Sequence, residues 1–444
     1  MNSPHARISI SPFAFLTLLL ISCASVCAQT PQTTAQPQKA AEALANARKV
    51  YSTEGAAKAL PLYETALEMF RLEGDRKGEA ITIGQMGNAY KQLGQHAKAL
   101  EYLQRSLAMK RELGDRLEEG KTLVNIGLFY KETSDYPKAA EFLNNALSIA
   151  KEINSELIEA AALNNLGLVY DELGDYRRAL ETYNRSLALY KEPSSGMADV
   201  IGNIGGDHLL LGEYSEALSF YQRALVIDEQ LGLKPKIAVD LENIGLSLIG
   251  LGQANDALPV LDRAINITSK AGMKKEEADC RKAKGTALLQ LGKYSDALAE
   301  YNSARSTYEA ASINAEPSFK QELIEALGDL GNLQMRLGDA TSAEKDFRRA
   351  IEMSEAIKHP RGVTLNLISL GDLQMRQKRF PEAIALYTLA GTRATVVNDK
   401  AHVSAAKTQL AHAYRNLKHF TDGEQQAVQA RDIARATQAR PLEA

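Results

Sequence analysis

Tryptophan is absent from this 444-residue chain, and cysteine (three) and proline (thirteen) are scarce. Few prolines in so long a chain favour helices, which an interior proline would break. Two of the cysteines, Cys23 and Cys27, fall within the first thirty residues, and the third is Cys280. That usage excludes a disulfide framework, so the fold has to rest on helix packing. Neither sign of charge prevails. The net charge is −3, and losing Arg7 with the leader described below takes it to −4. No strong pull toward nucleic acid follows, and no nucleic-acid partner is expected. What the chain does hold is apolar material: 45% of its residues are hydrophobic against 24% charged, too much for a disordered polymer.

The first thirty residues differ in kind from the rest. Arg7 precedes an apolar run from Phe13 to Ile21, followed by small residues. This is the pattern of a secretory signal peptide, too short for a stable membrane span. Val26-Cys27-Ala28 places small side chains where a signal peptidase reads, which makes residues 1–28 the leader and Gln29 the mature start. Leu20-Ile21-Ser22-Cys23 is similar to a bacterial lipobox, the alternative, in which Cys23 carries lipid. The expected location is therefore periplasmic or secreted, with membrane attachment only if Cys23 is lipidated. Residues 29–39 hold the low-complexity stretch QTPQTTAQPQ and read as a flexible linker.

Alignment of the chain with itself is the informative step. Gly87 recurs as Gly127, Gly167, Gly205, Gly245, Gly285, Gly331 and Gly371, with Ala411 in ninth place. Most spacings are 40 residues, with one of 38 and one of 46. Twelve residues after each stands a small side chain such as Ala139 or Ala179, and four further on a large apolar one such as Leu143, Tyr183 or Phe347. The last copy departs, with Gly423 and Ala427 in those two places. Spacings of 3, 4 and 7 put these positions on one helical face, so each unit is a helix A and a helix B joined by a turn such as Leu173-Gly174-Asp175-Tyr176. A degenerate first copy carries Ala59, Tyr63 and Ala66.

These residues resemble the tetratricopeptide repeat (TPR) family, in its 40-residue, kinesin-light-chain-like form found also in bacterial TPR proteins and in arrays fused to CHAT protease domains. The resemblance implies an all-α fold, a right-handed α-solenoid superhelix of about ten helix pairs. The array divides into residues 40–312 (units 1–7), an inter-repeat insertion at 313–323 around Pro317, residues 324–437 (units 8–10) and a tail at 438–444. The insertion is a candidate hinge, and a plain surface loop is the alternative. Glu192 to Gly196 shorten another link by two residues.

Catalytic constellations are not found in the sequence. The histidines after the leader, His96, His208, His359, His402, His412 and His419, are scattered, and His412 and His419 lack a further ligand at metal spacing. Cys280 has no base marked beside it and reads as a packed small side chain. Gly202 to Gly206 follow no strand and fall in register with the other A helices, against a phosphate loop. Glu118-Glu119 and Glu276-Glu277 stand at helix starts, where negative charge complements the dipole. The chain is expected to be no enzyme and to need no cofactor or metal.

A surface remains. The resemblance implies that the A helices line the inner wall of the array and that repeat positions 2, 5, 6, 9, 12 and 13 face the groove. Position 6 reads Asn125, Asn165, Asn203 and Asn243, a ladder of amides able to hydrogen-bond an extended peptide backbone. Bonding only to neighbouring helices is the alternative role for these amides. Asn88, Lys91 and Lys131 lie near the start of the groove, Asp171 and Glu172 follow, Leu209, Leu210, Ile249 and Leu289 give an apolar middle, and Arg336, Arg376 and Arg415 lie on the far wall. Residues 376–444 carry eleven Lys/Arg against six Asp/Glu, a local excess able to steer an acidic partner. The expected function is an exported scaffold that binds a peptide or partner domain of unspecified identity. Two alternatives are the regulatory half of a CHAT-protease-like or other enzyme system, and a lipid-anchored organiser of an envelope complex.

Overall fold

The computed structural model describes residues 37–312 and 317–438, and among these residues every regular element is an α-helix. The expected signal peptide, Cys23, most of the linker and residues 439–444 of the tail lie outside the described residues. Contacts divide the chain into two compact units, one ending at Leu233 and one beginning at Lys234.

Among its described residues the first unit holds five helix pairs. Its A helices are α1 (Pro37–Glu54), α3 (Arg76–Gln92), α5 (Arg116–Glu132), α7 (Glu156–Glu172) and α9 (Ser195–Leu210). Its B helices are α2 (Ala56–Glu73), α4 (His96–Glu112), α6 (Tyr136–Glu152), α8 (Tyr176–Leu187) and α10 (Tyr214–Leu231). The second unit repeats the plan with α11 (Lys234–Gly250), α13 (Lys274–Gln290), α15 (Pro317–Leu337), α17 (Pro360–Arg376) and α19 (Lys400–Asn416). Its B helices are α12 (Ala254–Ala271), α14 (Tyr294–Ser312), α16 (Ala340–Ala356), α18 (Phe380–Val396) and α20 (Phe420–Gln438). Ten pairs are thus present among the described residues, with the degenerate first copy formed as α1 and α2.

The repeated glycine sets the spacing within each pair. A Cβ on Gly167 would lie 2.4 Å from Tyr183 Cε1, and one on Gly331 would lie 2.6 Å from Phe347 Cε1. Helix backbones approach that closely only where one side chain is missing and its partner fills the gap. Tyr183 and Phe347 are accordingly fully buried. Turns close the pairs: Gly174 takes φ 74° in the left-handed region, and Asp175 caps α8 by accepting from Arg178 N at 3.2 Å.

Two boundaries differ from the sequence expectation. Helix α1 begins at Pro37, inside the stretch read as linker, because proline suits the first turn of a helix. The insertion expected to run to residue 323 ends sooner, since α15 begins at Pro317 and extends for 21 residues. Leu323, Ile324 and Leu327 of that helix pack on Tyr308 of α14, and this burial carries the helix back through the residues expected to be loop.

Candidate interaction surface

Within each unit the A helices touch across successive pairs, α3 with α5, α5 with α7, α13 with α15 and α17 with α19. No two B helices meet with comparable closeness among the described residues. Helices in mutual contact form the inner side of a curved stack, and their splayed partners the outer side. The A-helix face is therefore where a groove forms in each unit.

In the first unit Asn88, Lys91, Asn125, Lys131, Asn203 and Leu209 are half-buried on this face. Lys91 Nζ lies 2.9 Å from Glu132 Oε1 on the next A helix. The asparagine ladder is not an open row, however. Asn165 is fully buried and its Nδ2 donates to Ala161 O, 2.8 Å away on its own helix. Asn203 Nδ2 donates to Asn164 Oδ1 at 2.9 Å, so this amide links two A helices. In the second unit Asn243 and Ile249 are only 5% and 4% exposed. Asn165, Asn243 and Ile249 therefore cannot line an open groove as expected, because crowding of the A helices, which the repeat position does not encode, covers them. Leu289 is half-buried, and Arg336 and Arg376 are exposed.

The same face holds an acidic pair that the sequence reading missed. Asp207 of α9 is 1% exposed and Asp171 of α7 lies against it. Tyr183 OH donates to Asp171 Oδ2. Burial first, and Asp171 second, push the Asp207 carboxyl up to about 9. Burial raises Asp171 to about 6 against the opposing Tyr183 and Asp207 hydrogen bonds. At neutral pH Asp207 therefore holds a proton and donates it to the Asp171 carboxylate. A signal was available: Asp207 stands two residues after the repeat glycine, where Ala89, Val169, Leu333 and Leu373 are apolar.

In the second unit the inner wall is knitted by charge. Lys282 Nζ lies 2.9 Å from Glu325 Oε2 and 3.3 Å from Glu322 Oε2, while Lys275 Nζ lies 2.8 Å from Asp279 Oδ2. Burial alone would depress the Lys282 ammonium, but Glu325 and Glu322 outweigh it and hold it well above its ordinary value. Glu242 of α11 is raised well above the carboxylate range by burial and then by Asp279. Lys275 and Lys282 pair with Asp279, Glu322 and Glu325 and hold the wall together.

The remaining candidates fall into structural roles. Gly202 to Gly206 lie inside α9. Glu118 and Glu119 form ion pairs: Glu119 Oε1 is 2.8 Å from Arg111 Nε, and Glu118 Oε1 is 2.7 Å from Lys121 Nζ. Cys280 is fully buried, and burial with the nearby Glu242 pushes its thiol well up, away from a reactive thiolate. His419 Nδ1 lies 3.6 Å from Asp422 Oδ2 and stacks on Tyr414. Among the described residues no three His, Cys, Asp or Glu side chains converge as metal ligands.

A tetratricopeptide repeat model matches residues 50–112, 118–192 and 196–270, and a second tetratricopeptide repeat model matches residues 329–394. No curated protein matches the sequence. Among solved structures, the apo form of the quorum sensor NprR from B. thuringiensis is similar at 15% identity and a TM-score of 0.56, over 77% of this chain and 98% of that one. A Rap protein complexed with competence and sporulation factor is similar at 13% identity and a TM-score of 0.55, over 90% of this chain and 98% of that one. BtubC (BKLC) from P. vanneervenii shares 21% identity at a TM-score of 0.42, over 53% of this chain and 91% of that one. The matched repeat models together span more than half of the sequence and fall on the helix pairs just described, so the chain belongs to the tetratricopeptide repeat family.

Proposed function

We propose that the protein is an exported scaffold without enzymatic activity, which binds a peptide or partner domain on its A-helix face. The observation that carries this reading is the makeup of that face. Asn88, Asn125, Lys131 and Leu289 are half-buried and Arg336 and Arg376 exposed there, while Cys280, the one nucleophile singled out, is sealed in the core. Polar side chains held at partial exposure by a rigid stack suit recognition of another chain. The similar Rap protein, solved with competence and sporulation factor, supports this use of the fold. Export rests on the apolar run after Arg7 and the small residues at Val26 to Ala28.

Photo-crosslinking in the native cell tests the reading. A benzophenone amino acid placed at Asn88, Asn125 or Leu289 is expected to trap a partner, whereas one at Glu101, Glu141 or Arg185, exposed on B helices, is not. Crosslinks arising solely from the B-helix sites sink the groove assignment. Mass spectrometry of the mature N-terminus in the same preparation checks export, with Gln29 as the expected first residue.

A further inference from the structure

Four successive pairs of the first unit carry a ladder of ring contacts, and one rung is missing. Three residues after the repeat glycine, helix A presents Tyr90, Tyr130, Tyr170 and then His208, and in three of the four pairs helix B sets a ring against it. Ring centroids lie 5.1 Å apart for Tyr90 and Tyr102, 5.4 Å for Tyr130 and Phe142, and 5.3 Å for His208 and Phe220. The pair of α7 and α8 has Thr182 at that place, and Tyr170 meets no ring among the described residues. The cation of the ladder is kept: Arg178 Cζ lies 5.3 Å from the Tyr170 ring centroid, as Lys138 Nζ lies 5.1 Å from that of Tyr130. Thr182 does not fill the gap, since it is buried and its hydroxyl donates to Arg178 O at 2.6 Å. A cavity of about 440 Å³ is left between α6 and α8, with Leu147 and Leu166 as its buried apolar lining.

The charges of this cavity also break the repeat. Lys151, Arg178 and Arg185 line it against a single carboxylate, Glu181. Arg178 pairs with Asp175. At the repeat position of Lys151, Arg71 lies 3.0 Å from Glu79 and Arg111 lies 2.8 Å from Glu119. Glu159 is the counterpart of those glutamates, yet neither Lys151 nor Arg185 has a carboxylate within ion-pair distance among the described residues. Two unpaired cations and an unfilled ring place therefore share one cavity.

We propose that this cavity binds a small aromatic phosphate. Its ring lies against Tyr170, where the neighbouring pairs set a ring of their own, and its phosphate faces Lys151 and Arg185. A dianion matches two unpaired cations, and an aromatic ring gains from stacking what a saturated one does not. Asn144 and Ser148 line the same cavity with groups able to hydrogen-bond the ligand. Glu181 opposes the phosphate, and the two unpaired cations outnumber it. The cavity lies between B helices, so the inference stands apart from the A-helix groove reading.

Isothermal titration calorimetry of the full chain provides the test, with phenyl phosphate, cyclohexyl phosphate, inorganic phosphate and adenosine monophosphate as probes. Phenyl phosphate is expected to bind about threefold to tenfold more tightly than cyclohexyl phosphate. Over inorganic phosphate its advantage should be at least about tenfold. Tighter binding of adenosine monophosphate than of phenyl phosphate supports the proposal with a nucleotide as the source, and the reverse order supports it with a simple aryl phosphate. Thr182→Phe supplies the ring that Phe142 and Phe220 give their own pairs and closes the cavity, so phenyl phosphate should bind it about tenfold or more weaker. The exposed pair Lys151→Ala/Arg185→Ala is expected to lose about tenfold or more as well, whereas Glu181→Gln should gain about twofold to threefold. Absent binding of phenyl phosphate, equal binding of phenyl and inorganic phosphate, or full affinity in a folded Thr182→Phe protein overturns the proposal. Should Thr182→Phe fail to fold, the Lys151/Arg185 double variant decides in its place, and undiminished affinity there overturns the proposal equally.

Discussion

At the scale of single residues, the side chain with the largest consequence is Asp207, whose burial forces it to keep a proton. Its folded value of about 9 lies far above the roughly 3.9 of an unfolded aspartate. A raised folded value means that the group's contribution to stability is fully present below about pH 4 and is lost progressively as pH rises to about 9. Asp171, raised to about 6, acts in the same sense over a narrower window. Replacing Asp207 by Asn supplies a neutral donor to Asp171 at every pH. The variant should gain on the order of a few kcal/mol at pH 8, where the wild type bears most of the cost, and little at pH 4. Thermal midpoints of both proteins between pH 4 and 9 check this, and parallel curves would count against the shared proton. Asp207 was legible as the one charged residue in its repeat column, but its contact with Asp171 was not, since pairing between repeats depends on how closely α7 and α9 approach. The same limit governs Asn165. Its repeat position was correct, yet the position cannot say whether an amide faces a groove or turns onto Ala161 O.

At the scale of the helix pair, the repeat glycine, the large residue sixteen positions on and the turn glycine all do in the structure what their spacing implied. They could be read because each is demanded by local geometry: a Cβ on Gly371 would lie 2.4 Å from Tyr387 Cε1, and Gly174 needs φ 74°. The late pairs are less well provided. Where α7 and α8 are joined through Gly174, α17 and α18 are joined through Lys378 at φ 60°, and α19 and α20 through Lys418 at φ 65°. A side chain in the left-handed region costs about 1–2 kcal/mol, against which glycine's extra backbone entropy sets roughly 0.5–1 kcal/mol. Lys378→Gly and Lys418→Gly are therefore each expected to stabilise their own pair by some tenths to about 1 kcal/mol. Hydrogen exchange of α18 and α20 amides should slow accordingly, and faster exchange in either variant would show that the lysine makes a contact worth more than the strain.

At the scale of the molecule, a stack whose members meet only their neighbours should transmit damage poorly. In the second unit α17 contacts α15, α16, α18 and α19, whereas α11 contacts α12 and α13. The ten-pair count was legible from the period because every pair repeats one local solution. The division of the chain at Leu233 was not, because no break in the period marks it and the 40-residue spacing from Gly205 to Gly245 runs across it. The nearest-neighbour picture has a direct test in Gly371→Ala. The added methyl meets the fully buried Tyr387 ring, an overpacking cost of about 1–3 kcal/mol. Replacing a helical glycine returns at most about 1 kcal/mol, so a net loss remains. In a globular core that loss would lower protection throughout. Here hydrogen exchange should accelerate in α16 to α19 and stay at the wild-type rate in α11 and α12. Uniform acceleration across all ten helices of the unit would mean that it unfolds as one cooperative body, and the nearest-neighbour account would then fail.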